Sequence, residues 1–288
     1  MNSFSNLNYS SHSARNISLT RLKNTKASKR TTVSVQAGLE YNQLKGISVV
    51  KANTNERVEL LSLWQAEPGT KVAIPFLTHF ADLSSWEYAQ KLVKVLPTLE
   101  DSGVKVFVVG IGSAANAQEF SRALKFPSDR LYADPEATAY KALGFSPGFA
   151  PGLEISPYAK LITMCAGIGS PGTLQEVFRG YLGDKSSKPV FEGPTPFDVL
   201  GTGYQRPMEL ATLRLFNMVA ILPKWGELSP PDQSLVVQQG GTVVLDGTET
   251  IFRHDDSGIL KYTDIDALLR SSLKAEEVMS EPAYLVDV

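Results

Sequence analysis

The chain has 288 residues, 43% hydrophobic and 20% charged, with a formal net charge of −2, which suits one large globular domain or a domain carrying an insertion. Its single cysteine, Cys165, excludes an intramolecular disulfide and a Cys-x-x-Cys couple. The histidines, His12, His79 and His254, are too scattered for a metal cluster, so no metal and no cofactor are expected, and no apolar run is long enough to span a bilayer.

Residues 1–37 differ from everything after them. They hold six Lys or Arg, twelve Ser or Thr and no acid, the composition of an organelle transit peptide without a secretory apolar core. Val35-Gln36-Ala37 before Gly38 reads as a plastid-type cleavage site; a mitochondrial signal and a disordered cytosolic tail are the alternatives. Without this segment, 22 basic residues face 30 acidic ones, a formal net charge of −8. An acidic domain without a basic stripe is not built for phosphate backbones, so nucleic acid is not an expected partner.

In chain order, 47–52 and 58–63 read as short strands around a polar turn, and Lys71–Phe80 as a buried central strand. From Leu83 the apolar spacing turns helical through Leu99, and Pro97 is expected to bend or divide that helix. Val104–Ile111 reads as one buried strand, Ala114–Leu124 as a helix capped by Ser113, Leu131–Asp134 as a strand, and Glu136–Leu143 as a helix stopped by Gly144. The last third adds Thr242–Leu245, an Asp246-Gly247 hairpin turn, Thr250–His254, and a helix over Ile265–Leu273 with Thr263 as cap. Residues 276–288 are acidic and are expected to run over the surface. Alternating strands and helices around a nearly continuous apolar strand predict a mostly parallel sheet covered on both faces.

Between these halves, 146–238 is broken by recurrent prolines and reads as an insertion. Two stretches in it are helical by spacing, Thr173–Leu182 and Met208–Leu222. The second carries nine large apolar residues and only Glu209 and Arg214 as charges; it packs on the sheet, or it offers a face to a protein partner or a membrane surface. Gly167-Ile-Gly-Ser-Pro-Gly172 has the bare spacing of a dinucleotide loop, but no strand leads into it, so a glycine-permitted helix-capping turn is the simpler reading.

Val72–Phe80, Val104–Gly112, Leu131–Pro135, Ala139–Gly144, Gln238–Val244 and Ile251–Asp256, in that order, resemble the peroxiredoxin-like, thioredoxin-fold antioxidant proteins, and specifically their plant plastid branch. The resemblance implies a thioredoxin-like three-layer α/β fold with a long, partly helical insertion, and a location in the chloroplast stroma or on the stromal face of the thylakoid. It also implies a redox Cys-x-x-Cys where the first core strand feeds its helix, since a thiol at a helix N-terminus meets unpaired amides and the positive end of the dipole. Here Asp82 and Ser85 stand at those two positions, so the site is degenerate. Two roles remain open: a non-catalytic binding or assembly module acting through Met208–Leu222, with peripheral thylakoid contact, or a thiol-dependent antioxidant relying on Cys165. Cys165 itself lies in an apolar run, where isolated thiols are usually small buried hydrophobes.

Overall fold

The computed structural model describes residues 38–273. The transit-peptide reading of 1–37 and the acidic tail at 276–288 therefore lie outside the described residues. The centre of the fold is β3 (Lys71–His79), whose run of apolar side chains is buried on both faces. It lies parallel to β4 (Lys105–Val106) and β5 (Val108–Ile111) and antiparallel to β7 (Gly241–Asp246). With β1 (Ser48–Lys51), β2 (Arg57–Glu59), β6 (Leu131–Asp134) and β8 (Glu249–Asp255) the strand order is β2-β1-β6-β5-β3-β7-β8. The parallel core β3-β5-β6 and the antiparallel pair β7-β8 form a thioredoxin-like sheet.

Alternation along β3 divides the interior in two. Ala73 and Leu77 face a core shared with α2 (Leu83–Asp101), α3 (Ala114–Leu124) and α9 (Ile265–Ser272), while Val72, Ile74 and Phe76 face α1 (Leu39–Gln43) and α4 (Thr138–Leu143). The result is three layers, helices–sheet–helices. At the crossing of β3 and β7, Gly240 is obligatory: a Cβ there would stand 2.0 Å from the Phe76 carbonyl oxygen.

Several local expectations change. Residues 60–63 form a 3-10 turn rather than extending β2. The strand expected over 104–111 is split at Phe107, next to the point where Pro75, which has no N–H to give to a ladder, comes level with Val108. Pro97 does not divide α2; it sits on the exposed side, where water can serve the carbonyl it leaves unpaired. The helix α4 starts at Thr138 rather than Glu136. The cap of α9 is Asp264, whose carboxylate accepts from Ala267 N at 2.9 Å, because the Thr263 hydroxyl is turned inward to Thr242.

Residues 144–240 carry α5 (Pro157–Cys165), α6 (Thr173–Leu182), α7 (Glu209–Ile221) and α8 (Trp225–Leu228). Gly167, Gly169 and Gly172 all have positive φ and form the turn from α5 to α6, with Gly172 as the cap residue of α6. Among the described residues, no helix is long and apolar enough to cross a membrane.

Candidate functional site

The loop from β3 into α2 places Thr78, His79, Asp82, Ser84 and Ser85 at one end of the sheet. Asp82 N donates to His79 O at 2.9 Å, closing the turn, and the Asp82 carboxylate caps α2 through Ser84 N at 3.3 Å. Thr78 Oγ1 donates to the other Asp82 oxygen and lies 2.7 Å from Ser85 Oγ. Ser84 Oγ accepts from Leu260 N at 3.0 Å. Asp82 and Ser85 thus belong to one closed polar network with Thr78. The positive end of α2 meets the Asp82 carboxylate.

Two buried ionisable groups stand beside this network. His79 is almost fully buried, its ring edge-on to Trp225 at 5.7 Å, and Nδ1 has no hydrogen-bond partner. Burial pushes its pKa down, opposed by the Asp82 carboxylate and a hydrogen bond to the Val236 backbone. Asp256 is also buried, with Oδ1 unpartnered and His254 Nε2 3.6 Å away. Burial, reinforced by Asp82 and Asp255, holds its carboxyl well above the usual carboxylate range.

Cys165 departs from the buried packing role expected of it. It ends α5 with its surface exposed, because Met164 takes the inward position against Val236 and Val237. Neighbouring atoms nevertheless desolvate the thiol in part, and together with the Asp82 carboxylate they raise its pKa. The Asp82 carboxylate thus reaches the thiol electrostatically and, with the partial desolvation, disfavours its thiolate form.

The middle segment is tied to the sheet domain by polar groups on the inward face of α7. Arg214 Nε donates to Glu87 Oε2 at 2.7 Å, and Gln90 and Asn217 exchange a reciprocal pair at 2.9 and 3.0 Å. Glu209 accepts from Arg206 Nη2 at 2.5 Å and from Val190 N and Phe191 N at 3.0 Å each. Burial opposes ionisation of Glu87, yet Lys91, Arg214 and the Tyr262 hydroxyl outweigh it and hold its pKa below normal. The outward face of α7 is apolar, with Leu215, Phe216, Val219 and Leu222 exposed. Sequence spacing marked this helix but not its orientation; the available signal was that its few polar residues, Arg214 and Asn217 with Leu210 and Ile221, share one stripe.

Strand order and site together define a thioredoxin-fold protein without a dithiol. Residues 91–258, more than half of the chain, match the family described as AhpC/TSA antioxidant enzyme, and the chain belongs to that family. The match begins inside α2, past Asp82 and Ser85. A curated relative, the chloroplastic thioredoxin-like protein AAED1 of Arabidopsis thaliana, is 29% identical over 107 residues, 37% of this chain. The aligned part spans 41% of that relative's length. Among solved structures, the bacterioferritin comigratory protein of Xanthomonas campestris, which has alkyl peroxide reduction activity, aligns at 10% identity and TM-score 0.42 over 84% of this chain and 99% of its own. The C48S mutant of peroxiredoxin Q from Xanthomonas campestris aligns at 15% identity and TM-score 0.32 over 36% and 62%.

Proposed function

We propose that this chain is a non-catalytic member of its family, a chloroplast protein that acts as a binding or assembly module through its middle segment. The observation that carries the reading is the closed network at the β3–α2 junction, in which Asp82 and Ser85 satisfy one another's neighbours and leave no nucleophile. The exposed apolar face of α7, held outward by Arg214 and Asn217, supplies the contact surface. The chloroplast, stroma or stromal thylakoid face, is supported by the composition of residues 1–37 and by the chloroplastic location in the Arabidopsis relative's name.

The competing role, an antioxidant relying on Cys165, is favoured by the exposure of that thiol and opposed by its raised pKa. A peroxide-reduction assay with an added dithiol reductant separates the two. Equal background rates for the wild type and Cys165→Ala are expected, and a wild-type rate well above background that Cys165→Ala abolishes would overturn the non-catalytic reading.

A further inference from the structure

We propose that residues 256–261 form a proton-gated clasp, which holds the turn between α5 and α6 against the N-terminus of α2 and lets go as the Asp256 carboxyl ionises. The inference stands apart from the binding-module reading, since the outward face of α7 takes no part in it.

The segment leaves the end of β8 and is pinned on both sides. Towards the sheet domain, Asp256 N donates to Gly240 O at 3.1 Å, Leu260 N to Ser84 Oγ at 3.0 Å, and His254 Nε2 to Lys261 O at 3.1 Å. Towards the middle segment, Ile259 N donates to Ser170 Oγ at 2.8 Å, Thr173 Oγ1 to Ile259 O at 3.1 Å, and Ser257 Oγ to Pro171 O at 3.2 Å. Gly258 permits the approach, because a Cβ there would stand 2.5 Å from Ser170 Oγ. Ile259 and Leu260 also complete the small core that contains Met164, Val236 and Val237. One short segment thus joins Ser84 of α2 to Ser170 and Thr173 at the start of α6.

Two features set the clasp close to release. Leu260 has a φ of 64°, in the left-handed region that a residue with a Cβ occupies at a cost, so its conformation persists only while the surrounding bonds hold it. Asp256, at the root of the clasp, is buried, and its Oδ1 has no hydrogen-bond partner. The groups around it are poor company for an anion. Asp82 and Tyr88 face it from α2, Tyr140 from α4, and Asp255 from β8. His254 Nε2, at 3.6 Å, is the one basic group within ion-pair distance among the described residues, and it donates to Lys261 O. Lys261 turns its ammonium to Glu176 at 3.4 Å. An Asp256 carboxylate in the closed clasp is desolvated and repelled by Asp82 and Asp255, whereas water solvates it once the clasp opens. The closed form therefore holds its proton more tightly than the open form, and opening becomes easier as the pH rises.

The test is amide hydrogen exchange on the full chain, read by NMR from about pH 5 to about pH 8, with each rate divided by its intrinsic rate. The Ile259 and Leu260 amides should open at least about tenfold more often than the amides of β3. Their opening constant should rise by up to about tenfold per pH unit, one proton released per opening, and level off above the folded pKa of Asp256. Asp256→Asn should abolish the rise, while His79→Phe and His254→Gln should each retain it. Ser170→Ala should raise the opening constant about fivefold at every pH and leave the slope unchanged. A flat wild-type profile, a rise that survives in Asp256→Asn, or one that disappears in His79→Phe would overturn the proposal. So would clasp amides that open no more often than those of β3, or an opening constant that Ser170→Ala leaves unchanged.

Discussion

Replacing Arg214 by leucine tests whether the middle segment is anchored by its buried ion pair. Glu87 has no exposed side-chain surface, and Arg214 approaches it at 2.7 and 3.3 Å. Stripping the partner from a buried pair costs about 3–5 kcal/mol, because the remaining charge stays desolvated. Glu87 keeps the Tyr262 hydroxyl at 2.5 Å and Lys91 at 3.6 Å, so the lower end of that range, about 3 kcal/mol, is the expected loss for Arg214→Leu. In a domain of this size that corresponds to a fall in Tm of roughly 6–12 °C. Glu87→Leu with Arg214→Leu should recover most of the loss, since the apolar pair leaves no orphaned charge. Urea unfolding of the four proteins at one fixed protein concentration measures the cycle, with concentration held because self-association would contribute to apparent stability. A loss below about 1 kcal/mol for the single variant, or a double variant no more stable than the single, would refute the anchoring argument.

Asp82→Ala should cost about 1 kcal/mol in chemical denaturation through loss of the α2 cap and of the acceptor for Thr78. His79 has a folded pKa below its ordinary 6.5, so it contributes stability above pH 6.5 that is lost as the pH falls through the folded value. His79→Phe should therefore flatten the acid limb of the stability curve, whatever its offset at neutral pH. Asp256 has the opposite sign: its folded pKa lies well above 3.8, so its contribution is complete below that pH and declines as the pH rises. Asp256→Asn should accordingly be more stable than the wild type at neutral pH, with the difference vanishing in acid, as measured by Tm across a pH series. Cys165 should alkylate with iodoacetamide at neutral pH more slowly than an ordinary exposed thiol, and Asp82→Asn should speed it, because partial desolvation and the Asp82 carboxylate raise the thiol pKa. An equal rate in the two proteins would remove Asp82 from the account.

Much of this protein is written in local pattern. The absence of a dithiol needs only a count of cysteines, and the Asp82 cap, the Ser113 cap and the Asp246-Gly247 turn follow from residue types at fixed offsets. The termini of α6 are also legible, since helix periodicity is a property of neighbours in sequence. The split between β4 and β5 is not, because it depends on where Pro75 of β3 comes level with the neighbouring strand, a matter of register between distant strands. Thr263 loses its cap role for the same reason: Thr242, in a different strand, engages its hydroxyl.

The two decisions that bear on function belong wholly to the tertiary structure. Cys165 sits in an apolar run that reads as core, yet the 3-10 turn containing Val236 receives Met164 and turns the thiol to the surface. The spacing of α7 shows an apolar helix, but only the positions of Glu87 and Gln90 on α2 determine that its polar stripe faces inward. Sequence fixes which faces a helix has. Which of them meets water is decided by the charges waiting on the neighbouring helix, since a buried carboxylate must find its cation wherever the chain can bring one.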